Sequence, residues 1–142
     1  MIYLDTSCLL KLLYEEIESA AVRAAVAKEE VVVVSSLVEI EAEIQFRAEY
    51  EGGRIRTSQW RQNQVKLTAM RNLEPFEFRH LPAAVFTTAL RQVRHPDCEH
   101  CRPADRLHLA AMEELGINRL MTVDIAQAKA AEALGFSVVS LT

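Results

Sequence analysis

No uninterrupted apolar run in this 142-residue chain exceeds four residues, so it holds neither a membrane-spanning helix nor the apolar centre of a secretory signal. Its three cysteines are an odd count, and without such a signal a disulfide framework is not expected; a reducing, cytoplasmic setting is. Internal repeats, low-complexity tracts and Pro/Gly/Ser-rich linkers are also missing. At about 150 residues per domain, one domain spanning residues 1–142 is the expectation. Basic residues are outnumbered, 16 against 20 acidic ones, for a net charge of −4. That balance excludes the broadly cationic surface that grips polyanions non-specifically.

What is present is an ordinary globular balance, with 50% apolar and 25% charged residues. The charge is uneven: residues 47–71 hold six bases (Arg47, Arg54, Arg56, Arg61, Lys66, Arg71) against two acids, with the sole tryptophan, Trp60, among them. Short apolar strand candidates at residues 2–4, 31–34, 76–78, 120–122 and 137–139 alternate with longer stretches of helical spacing. Such alternation predicts an α/β fold in which a central parallel sheet of four to five strands has helices on both faces. Ser35 and Ser36 are placed to cap a helix whose Leu37, Ile40, Ile44 and Ala48 form the expected sheet-facing stripe, ending near Gly52 and Gly53. Pro82 and Pro103 suit first helical turns, and Gly116 and Gly135 suit the residue beyond a helix end.

Open parallel sheets bind ligands outside the carboxyl ends of their strands, which directs attention to the acids there. Asp5 follows the first strand, with Thr6 and Ser7 next, and Asp124 follows the fourth. Either aspartate alone reads first as a helix cap, the commonest role of an Asp in that position. Glu41 lies beside the expected apolar stripe of its helix, whereas Glu39 and Glu43 point away. Asp105 shares a face with Leu109 and Met112, and His108, one turn on, reads as a satisfied core histidine. An acid on a core edge has a desolvation cost that calls for a cation or a donor. Four gathered carboxylates without a matching His or Cys set suit Mg²⁺ or Mn²⁺. Such an ion neutralises a phosphodiester and activates an attacking water.

The segments Met1-Ile2-Tyr3-Leu4-Asp5-Thr6-Ser7, Ser35-Ser36-Leu37-Val38-Glu39-Ile40-Glu41, Asp105-Arg106-Leu107-His108-Leu109-Ala110-Ala111 and Met121-Thr122-Val123-Asp124 together resemble the PIN-domain family. They are most similar to its stand-alone toxin ribonucleases of the VapC type. The resemblance implies a Rossmann-like PIN domain and a Mg²⁺- or Mn²⁺-dependent endoribonuclease. It places the acidic quartet, catalytic and metal-binding, on Asp5, Glu41, Asp105 and Asp124, with Thr6 and Thr122 in support and Glu39 as the alternative to Glu41 if an irregular helix start shifts the register. It further implies an RNA substrate, a homodimer and a small cognate antitoxin that covers the acidic site.

Arg54 and Arg61 are the expected substrate-phosphate contacts, while Trp60 reads as a buried packing residue. Val38, Phe46 and Tyr50 read either as a partner surface or as second-layer packing. The stretch from His95 to Cys101 carries a CxxC with two histidines, foreign to the family pattern; a polar loop is expected there rather than zinc, because His100 and Cys101 are adjacent. Cys8 reads as a small buried apolar residue. Two other functions use the same sheet: a phosphatase or phosphotransferase with a strand-end Asp nucleophile, and a catalytically silent RNA- or partner-binding module. Ser7 stands where the dehalogenase-type phosphatases carry a second Asp, and no quartet acid is missing.

Overall fold

The structure, a computed structural model, describes residues 1–139 and 141. Its strands β1 (Ile2–Leu4), β2 (Val32–Ser35), β3 (Phe76–Arg79), β4 (Arg119–Met121) and β5 (Ser137–Val139) pair in parallel in the order β3-β2-β1-β4-β5. Parallel neighbours need long crossovers. Helices α1 (Thr6–Leu13), α2 (Ser19–Val26), α3 (Ser36–Glu51), α4 (Thr57–Ala69), α5 (Val85–Val93), α6 (Pro103–Glu114) and α7 (Ile125–Ala133) supply them. The expected α/β, Rossmann-like sheet is therefore present, with β2 and β4 each displaced by one residue from the expected runs. Ile2, Tyr3, Leu4 and Val32 to Val34 are all fully buried, as strands covered on both faces require. None of the described helices is long and apolar enough to cross a membrane.

Local chemistry sets the element ends. Pro103 opens α6 as its first residue, where its missing N–H costs nothing. Pro82 instead lies ahead of α5, in a turn that Val85 closes by donating to its carbonyl at 3.1 Å. Gly116 and Gly135 follow α6 and α7 with φ of +69° and +87°, a left-handed backbone that side chains rarely tolerate.

Helix α3 corrects one expectation. The stripe Leu37, Ile40, Ile44 and Ala48 does not face the sheet: Ile40 and Ile44 are 56% and 62% exposed. Val38, Ala42 and Phe46 are the buried face instead. The helix begins at Ser36 directly after β2, with Ser35 as its cap accepting from the Val38 N–H at 3.3 Å. Its phase is thus set by the strand it leaves. Phe46 meets Tyr14 edge-on, centroids 6.2 Å apart, and the small Ala42 lets backbones approach closely. Glu41 still borders the buried face, being three residues after Val38 and one before Ala42.

The strand order makes β1 the switch point. The chain winds outward through β2 to β3, then returns to β4 on the other side of β1, leaving a crevice at the carboxyl ends of β1 and β4. The opposite end of β4 is held by Arg119, which donates twice to Glu29 at 2.7 and 2.8 Å. The Arg119 hydrogen bond outweighs partial burial and holds the Glu29 carboxyl below its usual value of 4.5. A depressed folded-state carboxyl stabilises above the unfolded value and loses that stabilisation as pH falls through the folded one. Because Arg119 is 40% exposed, Glu29→Gln should cost about 0.5–1 kcal/mol at neutral pH. In urea unfolding, its difference from wild type should shrink below pH 4.5.

Candidate active site

Asp5 leaves β1 at the crevice and is 5% exposed. Although it occupies the cap position of α1, its side chain caps nothing. Its Oδ2 instead accepts the hydroxyls of Ser7 at 2.8 Å and Thr122 at 2.7 Å, the latter reaching across from the end of β4. Thr122 in turn accepts the Asp124 N–H at 3.0 Å. The strand-end hydroxyls therefore fix Asp5 through one oxygen. Oδ1 is free of hydrogen bonds among the described residues and lies 4.0 Å from His108 Nε2.

Glu41 reaches the same end from the second turn of α3. Its Oε1 accepts the Thr6 hydroxyl at 2.8 Å and the Nε2–H of His108, which is 1% exposed. Burial works to raise the Glu41 carboxyl, but the hydrogen bonds of His108 and Thr6 and the charge of Arg102 outweigh it and leave it below its ordinary value. The expected core histidine is real, but its partner is a site carboxylate. His108 Nδ1 meets the Tyr3 hydroxyl at 2.8 Å, and that hydroxyl meets Ser35 Oγ at 2.7 Å. Burial holds the Tyr3 phenol far above its ordinary range, so it stays protonated.

Asp105 and Asp124 complete the rim. Asp105, in the first turn of α6, accepts from Arg102 Nε at 3.0 Å through Oδ2. Asp124 caps α7 through Oδ1, which accepts the N–H groups of Ala126 and Gln127 at 2.8 and 3.1 Å, so its bland reading as a cap is also correct. Its Oδ2 lies 4.0 Å from Arg102 Nη2. Arg102 is thus a basic side chain of this mouth, 77% exposed, which sequence reasoning missed. Its spacing of three residues before Asp105 at a helix start was the available signal. Ser7, two residues after Asp5, was missed as an anchor for the same carboxylate.

In all four acids one oxygen is held by the chain's own donors. The other accepts no hydrogen bond among the described residues. Hard, anionic oxygens of this kind fit Mg²⁺ or Mn²⁺ rather than a soft metal. As they stand, no three His, Cys, Asp or Glu side chains among the described residues are gathered closely enough to hold an ion. Asp124 is turned onto the α7 N-terminus and Asp105 onto Arg102, in keeping with the mutual repulsion of four like charges.

Arg54 lies past the far end of α3, its Nη2 donating to the Ala48 carbonyl at 3.3 Å. At ~1.5 Å rise per residue, that end is more than two turns from Glu41. Arg61 is exposed on α4. Trp60 stacks on Tyr50 with centroids 4.5 Å apart and lies under Arg47, a packing role. Glu39 pairs with Arg71 at 2.5 Å, and Glu43 accepts from Gln64 at 3.3 Å, both outside the acidic mouth. The segment from His95 to Cys101 belongs to the connection between α5 and α6; Cys98 Sγ accepts from the buried Arg106 at 3.2 Å, and both loop thiols are free. It borders a cleft of about 520 Å³ that holds none of the four acids. Burial pushes the Cys8 thiol up to about 12, as befits a packing residue.

A doubly wound parallel sheet with acids at its strand ends and on the helices beside its switch point defines the class of this molecule, and its relatives identify it further. The PIN domain family model matches residues 2–133, and the chain belongs to that family. No curated protein sequence matches it. Among solved structures it is similar to Mycobacterium tuberculosis VapC20, described as a sarcin-ricin loop cleaving toxin, with a TM-score of 0.70 and 22% identity over 96% of each chain. It is also similar to FitAcB from Neisseria gonorrhoeae, with a TM-score of 0.74 and 16% identity over 99% of this chain and 98% of that one. A toxin-antitoxin complex from Klebsiella pneumoniae matches with a TM-score of 0.67 and 16% identity over 100% and 98%. At these identities the likeness is one of fold.

Proposed function

We propose that this protein is a Mg²⁺- or Mn²⁺-dependent endoribonuclease, the toxin of a toxin-antitoxin pair. The observation that carries the reading is the shared state of Asp5, Glu41, Asp105 and Asp124: each is anchored through one oxygen and open through the other, around one crevice of a PIN-domain sheet. Those open oxygens are the ones that would hold the metal. When bound, the metal supplies charge neutralisation at the phosphodiester and an acidified water.

The chain's own residues do the rest. Ser7, Thr6 and Thr122 keep the carboxylates oriented with neutral donors, which adds no competing charge. Arg102, exposed at the mouth, is suited to an RNA phosphate, a role that sequence reasoning gave to Arg54 and Arg61. Ile40 and Ile44, exposed on the helix that carries Glu41, suit the apolar part of an antitoxin segment covering the site, and a homodimer completes the proposed assembly. The toxin-antitoxin setting of the similar structures supports that partner.

The test is cleavage of an end-labelled structured RNA. Activity should require Mg²⁺ or Mn²⁺, vanish on chelation and return when the metal is restored; cleavage that proceeds unchanged in chelator would refute the reading.

A further inference from the structure

A buried chain of polar side chains runs from the core to the acidic crevice: Ser35, Tyr3, His108 and then Glu41. Its members come from the end of β2, from β1, from α6 and from α3, so it ties together the elements around the site. The donor inventory closes when the imidazole proton is on Nε2. Ser35 then donates to the Tyr3 hydroxyl, Tyr3 donates to His108 Nδ1, and His108 Nε2–H donates to Glu41 Oε1. Ser35 Oγ also accepts the Val38 N–H at 3.3 Å, capping the helix that carries Glu41. Both the backbone and the side chain of Glu41 are thereby referred to one hydroxyl.

We propose that His108, backed by Tyr3 and Ser35, is the positioning residue of Glu41: it pins Oε1 so that Oε2 stays presented to the divalent cation. This rests on the metal-dependent reading above. Three facts point to positioning rather than space-filling. His108 is 1% exposed yet directs its outer nitrogen at a half-buried carboxylate. Its inner nitrogen has a dedicated partner on the central strand. Thr6 donates to the same Oε1 at 2.8 Å, so both donors spare Oε2. Orienting partners behind a metal ligand commonly change metal affinity by about 10- to 100-fold when removed.

Mn²⁺ binding to the intact protein without RNA, followed by the loss of the free-ion electron paramagnetic resonance signal, tests this apart from cleavage. His108→Ala should weaken Mn²⁺ binding about 10- to 100-fold. His108→Gln, whose amide N–H replaces the donor, should recover most of that loss. Tyr3→Phe keeps the ring, removes only the hydroxyl behind His108, and should weaken binding several-fold in a folded protein. If His108 only fills space, the variants lose thermal stability but bind Mn²⁺ as wild type does, and the proposal is overturned. A wild-type protein that takes up no Mn²⁺ overturns the metal reading itself, whereas wild-type binding with unchanged variants overturns this inference alone.

Discussion

Asp5→Asn should lower the proposed metal-dependent RNA cleavage by about 10²-fold or more while leaving the melting temperature equal to or above that of wild type. The asymmetry follows from the two oxygens. Oδ2 accepts two hydroxyls, from Ser7 and Thr122, and an asparagine oxygen in that place accepts the same two bonds. The amide nitrogen then falls where Oδ1 faces the crevice, a donor where the proposed cation would need an anionic acceptor. Asp5 is 5% exposed and shares its surroundings with Glu41, so removing its charge also removes a repulsion that the fold otherwise carries. Cleavage rates on a labelled RNA with Mn²⁺, set beside a thermal melt of the same preparations, check both halves. Equal cleavage by wild type and variant would remove Asp5 from the chemistry.

The second large effect concerns stability. Phe46→Ala should lower the unfolding free energy by about 3–5 kcal/mol, the cost of a large buried aromatic truncated to a methyl. Ile44→Ala, two residues away and equally apolar, should change it by no more than about 0.5 kcal/mol. Phe46 is fully buried against Tyr14, whereas Ile44 is 62% exposed. With total stabilities of ~5–15 kcal/mol, the first variant removes a large share and the second almost none. Paired urea titrations decide the matter. A larger loss for Ile44→Ala would return the core face of α3 to the stripe that sequence periodicity favoured.

Much of the fold was legible because local patterns and global topology agree. The apolar runs at the strand positions lie on or within a residue of the observed strands, and Gly116 and Gly135 end helices through a backbone that favours glycine. The acids at strand ends stood out for the same reason: a carboxylate immediately after a buried strand has few places to point. Glu41 was selected by way of the wrong stripe. It lies between two apolar stripes of α3, one exposed and one buried, and borders both, so an inverted helix face still left it on the edge.

Other features were not legible, since they depend on which side chains meet across the sheet. Nothing local to residues 105–112 says that His108 faces Glu41 rather than the core. That contact, between residues 67 apart in sequence, exists because His108 on α6 meets Tyr3 of β1 while α3 starts from β2, the neighbour of β1. Arg102 likewise becomes part of the acidic mouth only when α6 brings Asp105 toward Asp124. By contrast, Arg54 and Arg61 were favoured by charge density along the chain, which carries no information on direction.

By itself, then, the sequence determined the alternation that makes a parallel sheet and the strand-end acids, because these are encoded in short-range periodicity and turn chemistry, while its short motifs carried the resemblance to the family. The tertiary structure decided which face of α3 is buried, which oxygen of each acid is tied and which stays open, and what stands behind Glu41. Those outcomes depend on the relative placement of elements distant in sequence, and packing and hydrogen-bond geometry settle them only once the chain has folded.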